Sequence, residues 1–141
     1  MGVPTFLLDL GVNECERLLA VASLGRLGVV IDGRPEIFPV NHVFDSVTHR
    51  VVFPTRTGTK LHAALHWPWV AFEVDGEEPD GSAGWSVLVV GTAEEVTDAA
   101  QVARVTDLRH VAWGTGTGVH WIRVDPSQIT GRRISSPSTS V

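Results

Sequence analysis

The chain has 141 residues, of which 43% are hydrophobic and 19% charged, and a formal charge of −5, the make-up of one ordinary globular domain. Its 11 Lys and Arg residues are scattered, which gives no basic face for nucleic acid or an anionic membrane, and its lone cysteine, Cys15, excludes an intrachain disulfide and a thiolate zinc cage. No run approaches the roughly 20 apolar residues that cross a bilayer, and the N-terminus lacks a basic segment followed by a long apolar one, so a cytoplasmic domain is expected over 1–134 with a frayed tail at 135–141.

In chain order, Asn13 stands three residues ahead of Glu16, with Cys15, Leu18, Leu19 and Ala22 on one face, which predicts a helix from about Glu14 to Ser23. Cys15 reads as a small buried hydrophobe. Strands follow at Leu27 to Ile31 and Glu36 to Phe44, joined by the hairpin pair Asp32-Gly33; Pro35 and Pro39 call for an edge or a bulge in the second. A turn at Asp45 to His49 returns the chain into Val51 to Thr55. A break at Arg56 to Gly58 then precedes a short helix, Thr59 to His66, and a strand, Trp69 to Val74.

The acidic stretch Asp75 to Gly84 reads as a solvated loop leading into the longest strand, Trp85 to Val96. Asp98 caps a helix running to about Arg109, with Val102, Val105 and Leu108 or Arg109 inward. Trp113 to Gly118 is glycine-rich loop, and Val119 to Val124 and Ile129 to Ile134 are the last extended pieces. Six or seven strands in successive hairpins, with about three short helices, predict a mainly β antiparallel barrel, because parallel neighbours need long crossovers. A domain this small buries roughly two thirds of its unfolded surface, so a large ligand is best enclosed by a site shared between two subunits.

The segment Val51 to Leu61 places the hydroxyls of Thr55, Thr57 and Thr59, the cations Arg56 and Lys60, and Gly58 between a strand end and a helix start. Those groups suit a phosphate: a helix N-terminus and two cations address one dianion, and glycine lets the backbone approach it. Taken alone, the same residues also describe a polar turn capped at Thr59 with a solvated Lys60.

Four motifs in order add to this: Gly25-Arg26-Leu27-Gly28, Pro39-Val40-Asn41, Gly58-Thr59-Lys60-Leu61 and Gly84-Trp85-Ser86-Val87. With the closing Trp121-Ile122-Arg123-Val124 and Ile129 to Ile134, the chain from about Asn13 to Ile134 resembles short members of the pyridoxamine 5'-phosphate oxidase-like family. That resemblance implies a split barrel, a homodimer and a flavin, usually FMN, in the groove between subunits. It also implies that Thr55, Thr59 and Lys60 hold the phosphate, with Arg56 beside them, and that Val40 and Asn41 face the isoalloxazine ring. Trp85 and Ser86 are implied to come from the partner, with Trp121 close by. Pro54 follows the phenylalanine where related short sequences carry arginine, and the arginine of this chain stands at Arg56. The basic C-terminal motif of the vitamin B6 oxidases is absent, so their reaction is not implied.

The implied activity is hydride or electron transfer between the flavin and a small organic substrate, with no catalytic acid or base assigned. A reductase using the deazaflavin F420 is the alternative in the same fold, with Arg26, Arg132 and Arg133 available to its acidic tail; a non-catalytic flavin or haem module is the alternative in another class. His62 and His66 stand four apart but lack a zinc-protease glutamate, so they read as solvent-facing and no metal site is assigned. His42 and His120 could lie near a flavin or ligate haem, although strand histidines are more often structural. Gly114-Thr115-Gly116-Thr117-Gly118 lacks dinucleotide-fingerprint spacing, and Ser86 lacks a nucleophile elbow.

Overall fold

A computed structural model describes residues 6–59, 61–62, 65–108 and 118–135. The elements are β1 (Phe6–Leu10), α1 (Val12–Val21), β2 (Leu24–Ile31), β3 (Arg34–Asn41), β4 (Val43–Asp45), β5 (Arg50–Arg56), β6 (Trp69–Glu77), β7 (Ala83–Glu95), α2 (Ala99–Asp107) and β8 (Val119–Ser135). Every pairing is antiparallel, in the order β3-β2-β6-β7-β8-β5-β4, with β1 added along β8. The two ends of that path, β3 and β4, are joined in the chain by one residue, His42. The open sheet therefore curls until its first and last strands approach, which is the split-barrel arrangement.

His42 sits at this seam. It is buried, its amide donates to the Ser23 carbonyl at 3.1 Å, its Nε2 lies 2.9 Å from the Leu19 carbonyl oxygen, and its ring meets Phe72 edge-on at 4.8 Å. These contacts tie the seam to α1 and β6, a structural role. Asp32 and Gly33 turn β2 into β3 with φ of 52° and 76°, the left-handed pair of a type I′ hairpin. Pro35 and Pro39 fall in β3, which pairs with β2 alone in the sheet order, so their missing N–H groups cost no ladder bond on the other side.

Alternation along the strands makes two apolar clusters on opposite faces. In β5, Val51 and Phe53 enter the main core with Leu19, Leu27, Phe72, Val89 and Val124; Val52 points the other way, into a smaller cluster with Val96, Val105 and Trp121 beneath α2. Asp98 caps α2 by accepting the Gln101 amide at 3.0 Å. Arg104 clamps the helix to the sheet with two hydrogen bonds to buried Asp45, one of them 2.7 Å long. That guanidinium, aided by the Thr48 and Val47 groups of an Asx turn, holds the Asp45 carboxyl well below the usual carboxylate range.

Several boundaries differ from expectation. α1 starts earlier, at Val12 with Gly11 at its N-cap and no side-chain cap, so Asn13 lies inside the first turn; its buried stripe is still Cys15, Leu18 and Leu19. The extended start is a full strand, β1; the strand expected at Glu36 to Phe44 breaks at His42 into β3 and β4; and the two final pieces are one strand of 17 residues. The sheet consequently has eight strands. The loop expected at Asp75 to Gly84 shrinks because β6 and β7 pair out to Glu77 and Gly84. Of the helix expected at Thr59 to His66, residues 60, 63 and 64 lie outside the described residues, as do Trp113 to Thr117 and the tail beyond Ser135.

Candidate functional site

The ends of β3 and β5 and the turn after β5 line a cleft of about 260 Å³, with Val40, Asn41, Thr55, Arg56 and Thr59 in its wall. Strand periodicity explains the placement. Thr55 shares the face of Val51 and Phe53 and lies one step beyond the apolar core, so a buried position carries a hydroxyl. Gly58 then turns the chain at a φ of 82°. Thr59 donates through Oγ1 to the Arg56 carbonyl at 2.8 Å and accepts the His62 amide at 3.1 Å, which makes it the cap of the turn that follows. Its Oγ1 also lies 3.2 Å from Thr55 Oγ1. Since the Thr59 proton is committed to Arg56, Thr55 is the donor of this pair, and its O–H can swing from Thr59 to an anion in the cleft.

Five of the nine residues assigned to cofactor binding are thus together. Lys60 lies outside the described residues. Trp85 and Ser86 line a different cleft, of about 410 Å³, with Asp75, Gly76 and Arg132. Trp85 faces Gly76 across the β6–β7 pair, and a Cβ on Gly76 would stand 2.7 Å from the indole; only glycine lets the ring lie down there. Thr55 pairs with His120 and Ser86 with Arg132, twelve residues further along β8, a strand path of roughly 40 Å at about 3.3 Å per residue. Trp121 is 5% exposed and packs in the cluster under α2; it faces Pro54 across the β5–β8 pair but is not part of the cleft wall.

Electrostatically, Arg56 is exposed in the wall of the first cleft and Arg132 lies in the wall of the second, while Arg26 and Arg133, also named for a cofactor tail, form ion pairs. Arg26 pairs with Glu73 at 3.0 Å and Asp75 at 2.6 Å, and Arg133 with Glu78 at 2.8 Å. Glu73 titrates above the ordinary glutamate value, chiefly through burial and then through its neighbour Asp75.

The sequence matches the family described as pyridoxamine 5'-phosphate oxidase over residues 12–133. The chain belongs to the pyridoxamine 5'-phosphate oxidase family. Within it, the chain is 36% identical over 136 residues to the uncharacterized protein Rv0080 of Mycobacterium tuberculosis, covering 93% of this chain and 88% of that one. It is 39% identical to a structure described as the FAD binding protein from Mycobacterium smegmatis, with a TM-score of 0.78 over 89% of this chain and 98% of the other. An FAD-binding protein from Mesorhizobium loti has the same fold, with a TM-score of 0.79, 24% identity, and coverage of 94% and 100%.

For a pyridoxamine 5'-phosphate oxidase family chain, the first cleft has the donor chemistry that a phosphate requires, but its volume falls below the usual roughly 300–1,000 Å³ of complete small-molecule sites. Sequence reasoning missed Pro39, Pro54, Leu61 and Val119, which complete its wall. Pro54 and Val119 come in through the β5–β8 pairing, in which Pro54 faces Trp121 and Arg56 faces Val119. Pro39 and Leu61 stood inside the motifs and Pro54 beside the marked threonine, whereas Val119 had no local signal. His62, expected to face solvent, is half-buried and stacks on His120 with ring centroids 4.4 Å apart, because the turn capped by Thr59 folds back onto β8.

Proposed function

We propose that this chain binds a flavin nucleotide between two copies of itself and uses it for hydride or electron transfer with a small organic substrate. The observation that carries the reading is the cleft in which buried Thr55 offers a hydroxyl that capping Thr59 positions beside Arg56, with Val40 and Asn41 on the facing strand. Thr55, Thr59, Arg56 and Lys60 would hold the phosphate next to the ribityl chain, and Val40 and Asn41 the polar edge of the ring. When bound, the isoalloxazine supplies the redox chemistry, and the protein's part is to bind, orient and screen it from water.

The division of the assigned residues supports a shared site. About 40 Å of strand path between Thr55 and Ser86 is longer than a flavin ring with its ribityl phosphate, so Trp85 and Ser86 serve the same cofactor most simply from the partner. β3 favours the same arrangement. Its last residues line the cleft, while its start contributes Pro35 and Ile37 to an apolar face with Val30 and Trp69, where Ile37 is 70% exposed. Apolar faces of that kind mark association surfaces, and a second copy seated there lies beside the cleft.

The part of the ligand addressed by the cleft, ring plus first phosphate, is common to FMN and FAD. The 39% identical Mycobacterium smegmatis protein, described as FAD-binding, favours FAD over the FMN expected from the motifs. For F420, an acidic tail would have to displace the carboxylates that hold Arg26 and Arg133, which leaves Arg132, in the wall of the Trp85 cleft, as its cation.

The test is direct. Purified protein should be a yellow dimer that releases FAD or FMN on heating, identified by chromatography, and should bleach anaerobically with NAD(P)H. Tight F420 binding without flavin would move the activity to a deazaflavin reductase, and a Soret band to a haem module. A colourless monomer that takes up none of these would end the cofactor reading.

A further inference from the structure

We propose that His62, Glu95 and His120 form a binding site for a divalent transition-metal ion of the zinc class, beside the flavin cleft but sharing none of its lining residues. The three come from distant parts of the chain: the turn after β5, the end of β7 and the start of β8. Their candidate donor atoms all lie within 4.8 Å of one another. Two imidazoles and a carboxylate are the ligand set that suits Zn²⁺, Fe²⁺, Co²⁺ or Ni²⁺. Tetrahedral ligands about 2.1 Å from zinc stand about 3.4 Å apart, so the widest pair needs to close by little more than an ångström, while Glu95 and His120, now in hydrogen-bond contact, need to open. Glu95 is able to do so, its side chain being 38% exposed.

Hydrogen bonding around His120 carries the argument further. Its Nδ1 faces Glu95 Oε1, and its Nε2 lies 2.5 Å from Thr57 Oγ1. The Thr57 hydroxyl can donate its one proton to the Gly118 carbonyl at 3.3 Å and accept from His120 Nε2, the tautomer that a ring ligating through Nδ1 requires. In that tautomer the Nδ1 lone pair faces the Glu95 carboxylate, and a cation between them satisfies both. His62, stacked 4.4 Å from His120 at an interplanar angle of 22°, brings a third donor atom within 4.8 Å of the other two, which a metal ion can use and a proton shared by two groups does not. Thr57 then plays the part usual for groups behind a metal-bound histidine, holding the ring and its tautomer. Positions left open on the ion face a cleft of about 180 Å³ lined by His62, Leu65, Glu95 and Ile122, with room for water or a small ligand.

The experiment uses untagged, EDTA-treated full-length protein titrated with Co²⁺ and Zn²⁺. One Co²⁺ per chain with visible d–d absorption, displaced by Zn²⁺, and a melting temperature raised by either ion is the expected result. His120→Ala and Glu95→Gln should each weaken binding more than tenfold while melting like the wild type in EDTA, and Thr57→Val should weaken it about tenfold through the ring it positions. Absence of a Co²⁺ spectrum at millimolar metal overturns the proposal. So does binding that survives both His120→Ala and Glu95→Gln but is lost in His66→Ala, which would place the ion on the exposed His62 and His66 pair. Haem uptake through His120 without Co²⁺ binding also overturns it.

Discussion

The two clefts differ in chemistry more than in size. Among the described residues, that at Thr55 has hydroxyls and a cation but no aromatic plane; that at Trp85 has an indole laid over Gly76, with Asp75, Glu77 and Arg132 around it. One can address a phosphate and the other can stack on a ring, and neither does both. On the proposed function, the difference means that the two halves of a nucleotide site stand at opposite ends of one long strand, β8, and are united by symmetry.

The largest effect should come from emptying the first half. Thr55→Val with Thr59→Val removes the hydroxyl that donates to the anion, worth roughly 1.5–3 kcal/mol for a hydrogen bond to a charged group, together with the cap that shapes the turn, so flavin affinity should fall roughly 10- to 100-fold in a fluorescence-quenching titration. Lys60→Ala should cost about tenfold by the same measurement. An unchanged affinity in both variants would mean that the phosphate lies elsewhere, and the contrast between the clefts would lose its chemical basis.

A control distant from both clefts comes next in size. Arg104→Ala leaves buried Asp45 without its guanidinium and should destabilise the fold by about 2 kcal/mol in urea, with flavin affinity of the folded protein unchanged. The pH dependence has a definite sign. The folded Asp45 carboxyl titrates below its unfolded value, so its stabilisation is complete above that value, near 4, and is lost as pH falls further. The gap between wild type and Arg104→Ala should therefore be widest near neutrality and close at acid pH. A gap constant down to pH 3 would show that Arg104 acts through packing alone.

Legibility in the sequence followed the range of the interactions. The hairpin at Asp32-Gly33, the cap at Asp98 and the stripe Cys15, Leu18 and Leu19 were readable because turn and helix chemistry is local. The Thr55 to Thr59 turn was readable for the same reason. Trp121 was not, since its position in a motif says nothing of which face of β8 it occupies; the packing of Val52, Val96 and Val105 under α2 decides that. The cluster of His62, Glu95 and His120 left no local signal at all, because it is made by the β5–β8 and β7–β8 registers and by a turn folding back on them.

The smallest predicted effect is also the most informative. Trp85→Ala should weaken flavin binding about tenfold, the value of one stacking contact, with little change in melting temperature because the ring is only half-buried. Alone, that loss does not say whose Trp85 is felt. Mixing does. If each site takes its phosphate half from one chain and its aromatic half from the other, unfolding and refolding Trp85→Ala together with Thr55→Val/Thr59→Val gives heterodimers in which one site carries every lesion and the other carries none. About half the dimers are then mixed, so roughly a quarter of all sites should recover full affinity, seen as a high-affinity phase in the titration. If both halves act within one chain, every site keeps at least one lesion, no such phase appears, and the two clefts are separate features of one surface.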